Sequence, residues 1–216
     1  MEFYHFDIRQ KDITTIPYVY GAEAGMKFKR IKNLNLSASL WYMYAQSEFV
    51  YVGDGGYADM NNPSVRLGFD FSGRYRITGR LWYDTDLTLS KGRIVNLPGG
   101  KNYIPLAPNF TLTTGLSMIN FRGFDASLRI THINSRPANQ DNSVIAKGYT
   151  IVNAGAAYNI KRFTFYLYIE NLFNEKWNEA QFDTESRLKN EPAPVSEIHF
   201  TPGNPVNARL GIKINL

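Results

Sequence analysis

Apolar and polar residues alternate along most of this chain, which is the pattern of a β-strand with one apolar and one polar face. The last ten residues, Asn207–Leu216, show it clearly, because every second residue from position 210 is Leu or Ile. Residues 162–170 repeat the pattern, with apolar side chains at 163, 165, 167 and 169. The alternation therefore predicts strands rather than helices along the sequence.

About ten segments alternate in this way, namely residues 2–9, 18–29, 34–44, 65–77, 81–89, 110–120, 123–133, 149–160, 162–174 and 207–216. The connections near 31, 78, 121 and 160 are short, whereas those near 12, 56, 97, 140 and 190 are long. Short periplasmic turns and long extracellular loops are typical of outer-membrane barrels. We predict an all-β, antiparallel transmembrane β-barrel of about ten strands.

The polar face of the predicted sheet carries charged residues at six positions: Arg66, Asp70, Asp84, Asp86, Arg129 and Glu170. In a soluble barrel these side chains would face the solvent outside, so alternation alone does not decide the orientation. Several alternating runs reach ten residues or more, and a tilted strand needs about 9–11 residues to cross a membrane. We therefore expect these six charges to face an aqueous lumen and the apolar face to meet lipid.

Composition excludes several function classes. The chain of 216 residues has no cysteine, so it offers neither a disulfide framework nor thiolate chemistry. Its net charge of +5 is scattered, which argues against nucleic acid as a partner. Its three histidines, His5, His132 and His199, lack the spacing of metal ligands, and no catalytic motif is present. We expect no enzyme activity, no metal site and no cofactor.

Two features of the last third resemble a known family, and a third resembles outer-membrane barrels in general. Asn171-Leu172-Phe173-Asn174 resembles the NLFN element in the penultimate strand of TonB-dependent outer-membrane receptors. Residues 200–205, Phe-Thr-Pro-Gly-Asn-Pro, resemble the closing PG-x-P segment of those receptors. The final strand resembles the assembly signal of outer-membrane barrels, which usually ends in Phe or Trp; the matching positions are Arg209, Gly211, Ile214 and Leu216.

The resemblance implies the C-terminal β-barrel portion of a TonB-dependent receptor in the outer membrane of a Gram-negative bacterium. Such receptors import a scarce nutrient, such as a ferric siderophore, haem or cobalamin. The implied partners are outer-membrane lipid, the barrel-assembly machinery, a small-molecule or metal-chelate ligand, and the TonB complex, which acts only through a plug domain. We expect residues 1–216 to form one barrel domain without a plug, as part of a larger receptor barrel.

Five residues of the long loops are candidates for contacting a ligand, because long loops on a rigid scaffold tend to carry binding. They are Tyr51, Tyr57, Arg136, Trp177 and Gln181. Two alternatives stay open at this point: a small self-closed pore or structural barrel, and a soluble lipocalin-like binder. Because open edges are costly in lipid, either the first and last strands pair with each other or missing strands come from another chain. We predict antiparallel pairing of Glu2–Arg9 with Asn207–Leu216, which closes a barrel of about ten strands with both chain ends on the short-turn side.

Overall fold

The computed structural model describes residues 17–47, 49–52, 57–60 and 62–214, and its regular elements are all β-strands. In chain order the strands are β1 Val19–Phe28, β2 Leu34–Ala45, β3 Phe49–Val52, β4 Tyr57–Met60, β5 Ser64–Arg76, β6 Leu81–Ile94, β7 Phe110–Phe121, β8 Phe124–Ile133, β9 Arg136–Pro137, β10 Ile145–Ala146, β11 Tyr149–Ile160, β12 Phe163–Glu170, β13 Asn178–Ser186, β14 Val195–Pro202 and β15 Asn207–Ile214. No helix in the described residues is long and apolar enough to cross a membrane.

Nine of these strands form one antiparallel sheet in the order β1-β2-β5-β6-β7-β8-β11-β12-β15. Each strand pairs with its nearest long neighbour in sequence, so the sheet is a simple meander. The nine alternating segments from residue 18 onward are thereby confirmed as its strands, and the tenth, residues 2–9, lies outside the described residues. The bounds agree within a few residues, because strong alternation marks where a two-faced strand begins and ends.

The register of the sheet aligns apolar residues with apolar residues and polar residues with polar residues on neighbouring strands. One row joins Ala24, Leu40, Phe69, Leu89 and Phe110 on the apolar face. A neighbouring row on the polar face joins Lys27, Ser37, Ser72, Asp86, Thr113 and Thr131. Because side chains alternate between faces with a period of two, a slip of one residue would mix the two faces. The two-faced pattern read along each strand is therefore continuous across all the strands.

The long connections contain local hairpins that the sequence analysis did not predict. Strands β3 and β4 pair within the connection from β2 to β5, β9 and β10 within that from β8 to β11, and β13 and β14 within that from β12 to β15. The interpretation of residues 51–63, 134–147 and 175–206 as plain loops was wrong to that extent. These strands pair only with each other and are short or rich in polar residues, so no clear alternation marks them.

The sheet has two edges in the described residues, β1 and β15. Each pairs with a single neighbour, β2 and β12 respectively, and they do not pair with each other. The predicted closing pair of Glu2–Arg9 with the last strand involves residues outside the described part of the chain, so it stays a prediction. Within residues 17–214, the long strands form a single antiparallel sheet whose two edge strands are β1 and β15.

Candidate functional site

The charged residues of the polar face form hydrogen-bonded pairs. Ser72 Oγ donates to Asp86 Oδ1 at 2.6 Å, and Arg74 Nη2 lies 2.7 Å from Asp86 Oδ2. Thr88 Oγ1 donates to Asp70 Oδ1 at 2.6 Å. Each carboxylate is thus held by a partner on an adjacent strand, as expected for charges that share a face.

Asp84, Arg129 and Glu170, three further predicted charges of this face, are paired as well. Arg129 Nη2 lies 3.1 Å from Asp84 Oδ2, and Arg209 Nη2 forms an ion pair with Glu170. Arg66 lies on the same face, opposite Gly92 of β6. The six residues therefore occupy one face of one sheet, and the pairs found on that face are separate from one another. A depression of about 500 Å³ lies against this face between β1 and β6, with Glu23, Lys27, Asp70 and Asp86 in its lining.

The connection from β6 to β7 folds back over the polar face at the long-loop end. Ser90 Oγ donates to the carbonyl of Pro108 at 2.7 Å, and the side chain of Ile104 is buried against Gly92. A Cβ at Gly92 would stand 2.6 Å from Ile104 Cδ1 and 3.4 Å from Arg66 Cγ. Gly92 lies on the same face of β6 as Asp84, Asp86 and Thr88, because side chains alternate along a strand. The β6–β7 connection therefore covers the polar face beside Arg66.

The long connections are tied to one another. Tyr103 N donates to the carbonyl of Gln140 at 3.0 Å, and Leu106 N donates to the carbonyl of Pro137 at 2.8 Å. Both bonds join the β6–β7 connection to the region of the β9–β10 hairpin. The β6–β7 and β8–β11 connections therefore pack against each other as a layer at the long-loop end rather than forming independent loops.

Gln181 joins the third connection to this layer. Its Oε1 accepts from Lys147 N at 2.9 Å, and its Nε2 donates to the carbonyl of Lys147 at 2.8 Å. The residue is only 2% exposed. The side-chain amide thus bonds both backbone groups of Lys147, as the backbone of a neighbouring strand would. These hydrogen bonds hold the β13–β14 hairpin against the end of β10. A direct contact of Gln181 with a ligand stays a prediction.

Trp177 closes the base of the β13–β14 hairpin. Its indole lies over Gly203, its Nε1 donates to the carbonyl of Asn204 at 3.1 Å, and its ring centroid is 4.7 Å from that of Tyr149. A cleft of about 650 Å³ lies beside it, with Lys147, Lys176, Trp177, Gln181 and Phe200 in its lining. Of the five predicted ligand contacts, the structure brings Trp177 and Gln181 together in this cleft.

Arg136 lies on β9, and its Nη1 atom is buried without a hydrogen-bond partner in the described residues. Burial lowers the pKa of the guanidinium, and the nearby Tyr149 acts in the opposite direction. Tyr51 and Tyr57 belong to the β3–β4 hairpin, where Val52 pairs with Tyr57 and Tyr51 with Ala58; the positions of their side chains are outside the described structure. The five predicted contacts thus fall on three different hairpins.

The NLFN residues have a structural role that the sequence analysis did not find. Asn171 Nδ2 donates to the carbonyls of Glu175 and Asn204 at 2.9 and 3.0 Å, and its Oδ1 accepts from Glu175 N at 2.8 Å. Asn174 Oδ1 accepts from Val206 N at 3.0 Å. Both asparagines have a positive φ, which Asn tolerates better than most residues. The motif therefore fastens the end of β12 to the Pro-Gly-Asn-Pro segment that precedes β15.

In the described part of the chain, no group of three or more His, Asp or Glu residues could hold a metal ion. His132 is one of the two histidines described, and its ring nitrogens lie 2.7 Å from Thr150 Oγ1 and 2.7 Å from Asn134 Oδ1. Both ring nitrogens thus have partners within the sheet and the adjacent loop. The described residues thus form a polar face that is covered at the long-loop end by connected loops.

Comparison with known proteins agrees with this architecture. The family model described as "TonB dependent receptor-like, beta-barrel" matches residues 18–172. This match covers more than half of the chain, so the chain belongs to the TonB-dependent receptor β-barrel family. No curated protein sequence matches it at a significant level. Membership of the family places the chain in the outer membrane of Gram-negative bacteria, with its short turns periplasmic and its long loops extracellular.

Solved structures show the same fold at low sequence identity. The ferric-catecholate import receptor Fiu from E. coli K12 has a TM-score of 0.69 at 19% identity, over 92% of this chain and 27% of that one. The ferric yersiniabactin uptake receptor FyuA from Yersinia pestis has a TM-score of 0.68 at 14% identity, over 91% of this chain and 29% of that one. The copper transporter OprC has a TM-score of 0.67 at 14% identity, over 92% of this chain and 32% of that one. The chain thus spans between a quarter and a third of these receptors. The family consists of transport receptors, and its position in the membrane excludes the soluble lipocalin-like alternative.

Proposed function

We propose that this chain is the C-terminal part of the barrel of a TonB-dependent receptor that imports a scarce nutrient across the outer membrane. The observation that carries the proposal is the two-faced sheet, which keeps paired charges on one face and leaves large apolar side chains exposed on the other. A soluble domain would bury that apolar face. In an outer-membrane barrel it meets lipid, and the charged face lines the lumen.

The imported ligand, in this proposal, is a metal chelate such as a ferric siderophore, or haem or cobalamin. Support comes from family membership and from the titles of the similar structures, which name a ferric-catecholate receptor, a ferric yersiniabactin receptor and a copper transporter. These structures share one fold but their titles name different cargoes, so we attribute ligand specificity to the loops. The cleft beside Trp177, together with Arg136 and the β3–β4 hairpin, is where we place ligand contact.

The proposed partners follow from the same reasoning. The exposed apolar face would contact outer-membrane lipid, and the last strand, with Arg209, Gly211 and Ile214, would be recognised by the barrel-assembly machinery. The TonB complex would act through a plug domain elsewhere in the receptor, because residues 17–47, 49–52, 57–60 and 62–214 belong to the sheet and its connections. The six charges of the polar face would then contact that plug or the water around it.

An uptake experiment tests the proposal. A strain that lacks the receptor is compared with its parent for growth on single iron sources, each a different ferric siderophore or haem, and for growth that depends on cobalamin. We expect the deletion to abolish growth on one source, and loss of TonB to have the same effect. Uptake of every source at the parental rate in the deleted strain, or uptake that persists without TonB, would contradict the proposal.

A further inference from the structure

Positive charge is concentrated at the short-turn end of the sheet. The four short turns and the end of β15, residues 28–33, 76–82, 118–124, 158–164 and 212–214, contain nine of the chain's 24 Lys and Arg residues and none of its 19 Asp and Glu residues. We call these nine residues the basic rim; they are Lys29, Arg30, Lys32, Arg76, Arg80, Arg122, Lys161, Arg162 and Lys213. All are exposed except Arg76, which is half-buried.

The basic rim is not neutralised by the described residues around it. The carboxylate nearest to it in sequence is Asp125, whose Oδ1 accepts from Asn120 N and whose Oδ2 accepts from Asn159 Nδ2, both at 2.7 Å. The ion pairs found in the described residues, such as those of Arg74 and Arg129, belong to the polar face of the sheet or to the β13–β14 hairpin. The rim therefore presents its positive charge to whatever lies at this end.

Two guanidinium groups of the rim converge on one aromatic ring of the apolar band. Arg80, from the turn between β5 and β6, and Arg122, from the turn between β7 and β8, each lie 5.9 Å from the ring centre of Phe121. Phe121 is 47% exposed, and the neighbouring aromatic residues Phe124 and Phe163 are similarly exposed. A cation beside an exposed aromatic ring, at the end of an apolar face, is typical of a membrane interface.

The turn backbone supports a functional reason for this charge. Arg122 has a φ of 54° and Gly123 a φ of 88°, so they form a two-residue turn with both residues in the left-handed region. Lys161 has a φ of 52° in the turn between β11 and β12. Asn or Gly fits these positions with less strain. The chain nevertheless has long basic side chains there, and such departures from the local rule tend to mark functional positions.

We propose that the basic rim binds the phosphate groups of anionic phospholipids in the periplasmic leaflet, with Arg80 and Arg122 as its central pair. The proposal rests on the proposed function, in which the chain is part of an outer-membrane barrel, and on the periplasmic position of its short turns. Guanidinium groups bind phosphate through paired hydrogen bonds. A lipid fits both the charged and the apolar part of this surface. Its phosphate binds the two arginines, and its acyl chains cover Phe121 and the adjoining apolar face. An acidic protein bound to the turns would leave that apolar band uncovered.

Spin-labelled lipids test the proposal in the complete receptor, purified from outer membranes and placed in phosphatidylcholine vesicles. The fraction of each labelled lipid that is immobilised at the protein surface is measured by electron paramagnetic resonance. We expect labelled phosphatidylglycerol to be preferred over labelled phosphatidylcholine, and the preference to fall as salt is raised. In the double variant Arg80→Gln/Arg122→Gln, the association of phosphatidylglycerol should fall by up to about fivefold for each charge removed.

Two matched variants keep the result interpretable. Arg80→Lys/Arg122→Lys retains the charge and should keep most of the preference, whereas Lys101→Gln/Lys189→Gln removes two exposed charges at the long-loop end and should change nothing. Immobilised lipid without a preference, or a preference that survives in the Gln variant, would overturn the rim site and leave the barrel assignment intact. Absence of any immobilised lipid would overturn the assignment of the sheet to the membrane and the rim site with it. Unchanged lipid selectivity, combined with the loss of a crosslink to a periplasmic protein in the Gln variant, would reassign the rim to a protein partner.

Discussion

Three glycines lie beneath aromatic rings, and the rings explain why glycine stands at these three positions. Gly68 lies under Trp41 and Gly211 under Tyr166, both on the polar face, whereas Gly203 lies under Trp177 at the base of the β13–β14 hairpin. In each case a Cβ would overlap the ring. The glycine of the final strand and the glycine of the Pro-Gly segment are therefore required by the rings that cover them.

The substitution Gly203→Ala should destabilise the receptor by about 1–3 kcal/mol, because the added methyl group forces the Trp177 ring out of its position. The free energy of unfolding, measured by urea titration in lipid vesicles, checks this. Gly99→Ala is the matched control, since a Cβ there meets no atom within 4 Å. Equal stability of the two variants would mean that the Trp177 ring can move without cost.

Neighbouring residues on β12 test which face meets lipid. Leu167 lies in the apolar row with Leu210, whereas Tyr168 pairs with Arg209 on the polar face. Leu167→Arg should cost about 2–4 kcal/mol if the residue lies near the bilayer midplane, and Tyr168→Arg should cost much less in an aqueous lumen. Folding titrations into bilayers measure both. Equal losses, or the reverse order, would show that the faces are assigned the wrong way round.

At the scale of elements, the long-loop hairpins behave as one layer because their backbones are bridged by specific contacts. Gln181 pairs with both backbone groups of Lys147, and Asn171 bridges Glu175 and Asn204. Both side chains are only 2% exposed. Buried backbone groups of this kind are expensive to leave unpaired, so the layer holds Arg136, Trp177 and Gln181 in fixed relative positions.

Gln181→Ala should release the β13–β14 hairpin from β10, since Lys147 would lose both of its partners on that side. We expect faster amide hydrogen exchange across residues 178–202 and a loss of stability of about 1–3 kcal/mol. Gln181→Glu is the informative comparison, because a carboxylate still accepts from Lys147 N but cannot donate to the carbonyl of Lys147. It should give an intermediate effect; protection unchanged in both variants would show that Trp177 and Asn171 hold the hairpin unaided.

At the scale of the whole molecule, the described residues bury few apolar side chains. The buried ones are Ala45, Ile94, Ile104, Ala138, Ala146 and Ile151, and most of them lie toward the long-loop end. By contrast, Leu40 on β2 is 60% exposed and Leu210 on the edge strand β15 is 83% exposed, both on the apolar face. The sheet thus has its packed core at the loops and an uncovered apolar face along its length, which a soluble domain of this size would not tolerate.

The protein should therefore need detergent or lipid to stay folded and dispersed. Removing the detergent should cause aggregation, because exposed apolar surface of this extent associates in water. Sedimentation velocity and circular dichroism, each recorded in buffer with and without detergent, measure the outcome. A monodisperse, fully β-folded monomer in plain buffer would contradict the membrane assignment.

The sequence alone was sufficient for the nine strands of the main sheet, their two faces and the family. A period of two is a local property of successive residues, so alternation around Leu34–Ala45 or Tyr149–Ile160 marks each strand without knowledge of its neighbours. The short turns could be located for the same reason. The NLFN and Pro-Gly residues pointed to the family before any contact between them was known.

Only the tertiary structure decided how the parts meet. No local pattern reveals that Gln181 pairs with the backbone of Lys147, that Trp177 covers Gly203, or that Ile104 folds back onto Gly92, because the partners lie 34, 26 and 12 residues apart in the chain. The same holds for the basic rim, whose charges are scattered in sequence. They become one surface because antiparallel pairing brings every second connection to the same end of the sheet.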